Sequence, residues 1–278
     1  MRCPAFLILV PCLLAGGAVG DMLRVPGDHE TIQGAIDASS DGDTILVGPG
    51  RWVERLNLDG HSITLKGSAG PDSTIVDGTG KGRAPTLTCD DGENNATRIV
   101  DMTLIGGKGK NMIPRGEIQG GGVLVVDASP IFIRCTMRDN HAQYGSGGGA
   151  SIIGGNPIFI DCTFQQNRSD HIGGGLLVKE GQPRFINCTI ADNVAPTGAG
   201  LYAWRGTSSS FLGCQFLGNE AEGHGGAVAA WDAELDFAQC HFRGNKAPLG
   251  GTAVSALVTA PDMVQCSLGD GQDVETHD

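Results

Sequence analysis

The stretch Pro183–Asn193, PRFINCTIADN, decides how this chain folds, because it keeps returning. PIFIDCTFQQN runs from Pro157 to Asn167, PIFIRCTMRDN from Pro130 to Asn140, and looser copies end at Asn219 and Asn245. Each copy sets a cysteine, an apolar residue two places on, and an asparagine three places after that. The cysteines Cys135, Cys162, Cys188, Cys214, Cys240 and Cys266 follow one another at 27, 26, 26, 26 and 26 residues. A glycine cluster precedes each: Gly120 to Gly122, Gly147 to Gly149, Gly173 to Gly175, Gly198 and Gly200, Gly225 and Gly226, Gly250 and Gly251. Between clusters lie short alternating β-type runs such as VLVV from Val123 and LLV from Leu176, with almost no helical period. Three short strands joined by tight turns make one coil of a solenoid, so the repeat predicts an all-β, single-stranded right-handed parallel β-helix of about eight coils.

Such coils lie roughly 4.8 Å apart, so equivalent residues stack into columns. Cysteine then fills a narrow interior row, and Met137, Phe164, Ile190, Phe216, Phe242 and Leu268 point to the same side, while the residue between faces out. Asn140, Asn167, Asn193, Asn219 and Asn245 form a column that passes amide hydrogen bonds between coils, which is a scaffold role. Parallel neighbours place Cβ atoms about 4.8 Å apart, beyond the usual separation for a bridge. Seven cysteines beyond the leader also leave one unpaired, so buried thiols are expected rather than disulfides.

The 278 residues include 45 glycines, with 5% aromatic and 18% charged residues, too apolar for a disordered chain and without a collagen period. Residues 1–20, MRCPAFLILVPCLLAGGAVG, read as a signal peptide cleaved near Gly20, which predicts a secreted, periplasmic or cell-surface protein. No other run reaches membrane-spanning length. Without Arg2 the chain holds 18 basic against 31 acidic residues, a net charge of about −13. That charge argues against nucleic acid as a partner.

Residues 21–278 are expected to form one β-helix domain. Its cap and first coils occupy 21–119, regular 25–27-residue repeats 120–270, and a polar tail 271–278. Ile32, Ala35 and Ile36 mark a short capping helix ahead of a strand at Thr44 to Val47, placed to cover the open strand edges of the first coil. Further strands are expected at Ile63 to Leu65, Thr74 to Val76, Thr86 to Thr88 and Ile99 to Leu104.

The segment TIQGAIDASSDGDTILVGPGRWVERLNLDGHSITLKG resembles the N-terminal coil of the pectin-lyase-like superfamily. Phe164 to Asn167, Phe216 to Asn219, Phe242 to Asn245 and the GGAV from Gly225 resemble the repeats of polymorphic outer-membrane proteins. Together they cover nearly all of the chain after the leader. The resemblance implies the fold, which hosts lyases, hydrolases, esterases, adhesins and spacers. Gly223-His224-Gly225 matches the Gly-His-Gly of polygalacturonases, but it falls at a regular glycine cluster without their aspartate motifs. The paired aspartates and arginine of pectin methylesterases are not found either.

Function is then expected at outward positions that break the repeat. In the strand after each glycine cluster the first and third residues should point in, the second and fourth out. The fourth position reads Val126, Ile153, Lys179, Trp204, Trp231, Ala256. Trp204 and Trp231 would stack on an exposed sheet face beside Tyr202, with Lys179, Glu180, Arg205 and Asp232 around them. An aromatic platform flanked by charges suits sugar rings, so Tyr202, Trp204, Trp231, Lys179, Arg205 and Asp232 are the candidate substrate-binding residues; coverage by loops is the alternative. The insertion GGKGKNMIPRGEIQ after Leu104, with Lys108, Lys110 and Arg115, would border this groove.

No cofactor or metal site is expected. Calcium would be sought at Asp90, Asp91 and Glu93, which lack the spacing of a known calcium loop. No complete catalytic motif is present, so catalytic residues are not assigned. The expected function is a non-catalytic surface or envelope module binding polysaccharide or another surface component. The alternative is a lyase or hydrolase acting on an acidic polysaccharide in the same groove, with Lys179 or Arg205 as base.

Overall fold

A computed structural model of the chain describes residues 20–80, 82–112 and 117–277. The proposed leader and Arg115 lie outside them. The described residues form a right-handed parallel β-helix whose strands stack into three long faces. The front face carries the strand after each glycine cluster, such as Val123–Val126, Ala150–Ile153 and Val228–Trp231. The middle face carries strands such as Ile131–Ile133 and Ile158–Ile160, and the back face the strands after each cysteine, such as Thr136–Arg138 and Thr163–Gln165. Neighbouring coils pair in parallel, for example Val123↔Ala150 and Thr136↔Thr163. One 12-residue strand, Leu201–Leu212, serves both front and middle faces.

Among the described residues the back sheet has nine strands, about nine coils where about eight are expected. The first three back strands, Gly50–Trp52, Thr74–Asp77 and Thr103–Ile105, precede the cysteine and glycine repeat. Part of the polar tail also joins the solenoid, since Val274–His277 pairs in register with Val254–Leu257. The expected strand from Ile99 to Leu104 is two, Arg98–Val100 and Thr103–Ile105, with a left-handed corner at Asp101 (φ 58°).

The interior columns follow the repeat. Phe132, Phe159, Phe185, Phe211 and Phe237 stack with successive centroids 4.7, 5.0, 4.7 and 4.9 Å apart. Each such pair contributes about 0.5–1.5 kcal/mol beyond the area it buries. Cys135 to Cys240 are buried free thiols, and Cys266 in the last coil is half-buried. Their sulfurs donate to backbone carbonyls, as Cys188 Sγ does to Phe159 O at 3.4 Å. The inward row ends at Leu268, which is exposed because no further coil covers it among the described residues.

The asparagine column is continuous. Asn193 Nδ2 donates to Asn219 Oδ1 (2.9 Å) and to Phe164 O (3.0 Å), while its own Oδ1 accepts from Asn167 N (3.0 Å) and Nδ2 (3.1 Å). The same contacts repeat from Asn140 to Asn245, where Gln272 Oε1 closes the column at 2.8 Å from Asn245 Nδ2. This ladder explains the glycines. A Cβ at Gly175 would stand 2.9 Å from Asn193 Nδ2 and 2.6 Å from Gly200 O, so only glycine lets the amide reach across.

At the N-terminal end the capping helix spans Ile32–Ala38, with Ile32, Ala35 and Ile36 buried against the first coils as expected. Thr31 Oγ1 caps it by accepting from Gly34 N, and the Glu54 carboxylate accepts from the amides of Ile32 and Gln33, each at 3.0 Å.

Candidate functional site

The strand alternation sends the second and fourth residues of each front strand outward, but most second positions are buried, Tyr202 being half-buried, and Ile153 at a fourth position is buried as well. Leu124, Ser151, Leu177, Ala229 and Ser255, all at second positions, are buried. The turn ahead of a glycine cluster can bond to such a residue directly, as Ser146 O accepts from Ser151 Oγ at 3.0 Å. The pairs His141–Ala142, Arg168–Ser169, Val194–Ala195 and Glu220–Ala221 stack into a fourth, small sheet.

Over the earlier coils the insertion adds a lid rather than a groove border. Its strands Lys110–Met112 and Glu117–Gln119 pair antiparallel, and Gln119 continues the cover by pairing with Ser146. Ser151 Oγ lies 3.2 Å from Gln119 Oε1, tying the lid to the front face. Lys110 is engaged with Asp90 at 2.7 Å. Glu93 is buried and accepts from Gly60 N (3.1 Å) and Asp91 N (3.3 Å), so its carboxylate ties neighbouring turns together.

The fourth-position column runs Val126↔Ile153, Ile153↔Lys179, Lys179↔Trp204, with Trp231↔Leu257 and Leu257↔His277 in the last coils. Leu257, not Ala256, follows Trp231. The left-handed glycine of that coil is Gly251 (φ 64°), the counterpart of Gly225 (φ 68°), so the strand begins one residue later than the glycine pair suggests.

All six candidate residues meet on this face. Trp204 and Trp231 lie 4.9 Å apart at 54°, and Tyr202 packs on Trp204 at 5.6 Å. Lys179 Nζ sits over the Trp204 ring at 5.8 Å and the Arg205 guanidinium over Trp231 at 6.0 Å. Arg205 Nε is 3.3 Å from Asp232 Oδ2. Trp204 is half-buried, whereas Trp231 keeps 37% of its surface exposed. Burial pushes the Tyr202 phenol up, so it carries its proton at neutral pH.

Beside Trp231 opens a cavity of about 410 Å³, lined by Thr197, Tyr202, His224, Trp231, Ser255 and His277 with apolar Ala229, Ala230 and Leu257. The His224 and His277 rings meet edge to face at 6.3 Å, and His224 Nδ1 is buried without a hydrogen-bond partner. His277 Nε2 is 3.6 Å from Glu275 Oε2. A second, polar cavity of about 410 Å³ lies along the same strands at Arg205, Thr207, Ser208, Asp232 and Glu234.

His277, in the polar tail, is the residue that sequence reasoning passes over, and His224 is weighed there as part of Gly223-His224-Gly225 and set aside as a regular glycine cluster. The signal was available for His224. The position just before each glycine cluster also stacks, with Ile172 bridging Thr197 and Gly198 N donating to His224 O at 3.1 Å.

Among the described residues no helix is long and apolar enough to cross a membrane. No curated protein matches the sequence. Among solved structures the chain is similar to pectin methylesterase PemA from Erwinia chrysanthemi, at 14% identity and a TM-score of 0.46, covering 92% of each chain. It is also similar to the pectin methylesterase from Aspergillus niger, at 15% identity and a TM-score of 0.46 over 90% of each chain. A third is the A-module of the mannuronan C-5 epimerase AlgE4 from Azotobacter vinelandii, at 15% identity and a TM-score of 0.26, over 93% of this chain and 98% of that one. The family model described as "Right handed beta helix region" matches residues 92–262, more than half of the sequence and the segment that builds both the stacked columns and the aromatic face. With columns, corners and family model in agreement, the chain belongs to the right-handed β-helix family.

Proposed function

We propose that this protein is an exported surface or envelope module that binds polysaccharide without turning it over. The observation that carries the reading is Trp231, an indole left 37% exposed as one wall of the cavity beside it. An aromatic face next to hydroxyls and an imidazole is a surface that desolvates the apolar side of a sugar ring and meets its hydroxyls at the edge. The cations expected to act as a base in the alternative reading are already engaged: Lys179 over Trp204, Arg205 with Trp231 and Asp232. Those contacts favour binding over catalysis.

The test is a glycan array with wild type and Trp231→Ala, together with turnover assays on pectate and alginate with and without calcium. Wild type should bind and release no unsaturated products, and Trp231→Ala should weaken binding by about tenfold or more. Equal binding by the variant would end this reading. Ultraviolet-absorbing product ends would replace it with the lyase alternative.

A further inference from the structure

The two tryptophans do not make a strip. At 54° to one another they form a corner, and Trp204 is hemmed in by Tyr202 on one side and Lys179 on the other. Only Trp231 faces the cavity. A run of sugar rings lying along the solenoid needs open indole faces on successive coils, and of the two tryptophans only Trp231 is in the lining, with the Tyr202 ring beside it. Toward the N-terminal coils the fourth position passes to Ile153 and Val126 and the second positions are covered. Toward the last coils it passes to Leu257 and His277, which are themselves walls of the cavity.

The lining also has a charge signature. It contains no lysine, arginine, aspartate or glutamate. Arg205 lies outside it and is offset by Asp232. The polar groups are the Tyr202, Thr197 and Ser255 hydroxyls and the two imidazoles, which suit hydroxyl groups and offer a carboxylate no fixed countercharge. His224 Nδ1 is itself buried without a partner, so the contact to an occupant falls to the part of the imidazole that lines the cavity. At about 410 Å³ the space falls toward the small end of ligand sites, which range over about 300–1,000 Å³.

We propose that this cavity is an end pocket, which takes one uncharged sugar ring at the terminus of a glycan chain, stacked on Trp231 and hydrogen-bonded by His224, Tyr202 and Ser255. The proposal rests on the polysaccharide-binding reading above and narrows it twice, to chain ends and to neutral rings. Affinity is then set by the terminal ring, and additional rings project into solvent.

Calorimetric titration of the full chain with cello-, malto- and manno-oligosaccharides of one to six rings, and with the matching galacturonate series, tests it. At least one neutral series should bind with affinity varying by less than about threefold from two rings to six, and more tightly than galacturonate. On a bound neutral polymer, capacity should double when the same mass is cut into twice as many chains. His224→Ala should weaken binding by about tenfold, and His224→Gln, which keeps a donor and an acceptor, should recover part of it. Both variants are compared with wild type by circular dichroism, and the neutral-series length dependence stands even if neither folds.

Affinity that climbs tenfold or more with length, or capacity that follows mass, would overturn end recognition while leaving polysaccharide binding in place. Tighter binding of galacturonate would overturn the neutral-ring assignment. Failure of every series would remove the polysaccharide reading and this pocket's role with it.

Discussion

Replacing Asn193 with alanine tests the ladder that holds the coils together. Asn193 is fully buried, and its side chain makes four hydrogen bonds: to Phe164 O, to Asn219 Oδ1, and from both the amide and the Nδ2 of Asn167. Asn219 Oδ1 keeps a donor in the variant, the Asn193 backbone amide at 3.1 Å. The Asn167 amide and one Asn167 Nδ2 proton lose their acceptor, and the Phe164 carbonyl loses a donor. Two buried donors left unsatisfied cost about 1–3 kcal/mol each, while the Phe164 carbonyl keeps its place in the strand ladder of the next coil. Water entering the vacated space recovers some of that, so the expected loss is about 2–4 kcal/mol. Against typical stabilities of about 5–15 kcal/mol this is a large fraction. Equilibrium urea unfolding followed by far-ultraviolet circular dichroism measures it. Because repeat arrays need not unfold in one step, the midpoint and the slope should both be compared with wild type. A loss below about 1 kcal/mol would refute the reasoning, since it would mean that the ladder's bonds are exchanged for equivalent ones at no cost.

Two further outcomes follow from the scaffold. Asp77 is buried and accepts from Arg51 Nη2 at 2.6 Å and from Thr79 N at 2.8 Å. Burial alone would raise its pKa, but the Thr79 and Arg51 contacts outweigh it and hold the carboxyl below its ordinary value of 3.8. Its contribution is therefore present above that value and lost as pH falls through the lowered one, so Asp77→Asn should weaken the fold at neutral pH and flatten the acid limb of its stability profile. Urea midpoints across about pH 6 to 2 check this, and an unchanged acid limb would refute it. The thiol column should be sheltered: a thiol reagent should label about one equivalent, Cys266, in the native leaderless chain, and all seven in denaturant without reductant. Fewer than seven in denaturant would show disulfides instead.

Much of this fold is legible in one dimension because a solenoid converts sequence distance into neighbourhood. A period of 26 residues puts Cys188 above Cys162 and Asn193 above Asn167, so interior columns, capping helix and aromatic face can be read by counting. Counting fails where the period changes length. One shifted glycine turned the expected Ala256 into Leu257, and the first coils, which precede the repeat, cannot be counted from it. It also fails wherever a residue's exposure depends on chain from elsewhere. Alternation correctly sends Leu124 and Ser151 outward, yet both are buried, because the path of the insertion and of the loop strands decides what lies over them.

The sequence by itself determined the coil, the columns and which side chains leave them, since these depend on local strand geometry repeated along one axis. Only the tertiary structure decided that Trp204 and Trp231 make a corner instead of a strip, and that His224 and His277 join Tyr202 around a cavity. Ring tilt and cavity shape come from side chains packing across coils and from loops folding over the front face, and neither is encoded in any single repeat.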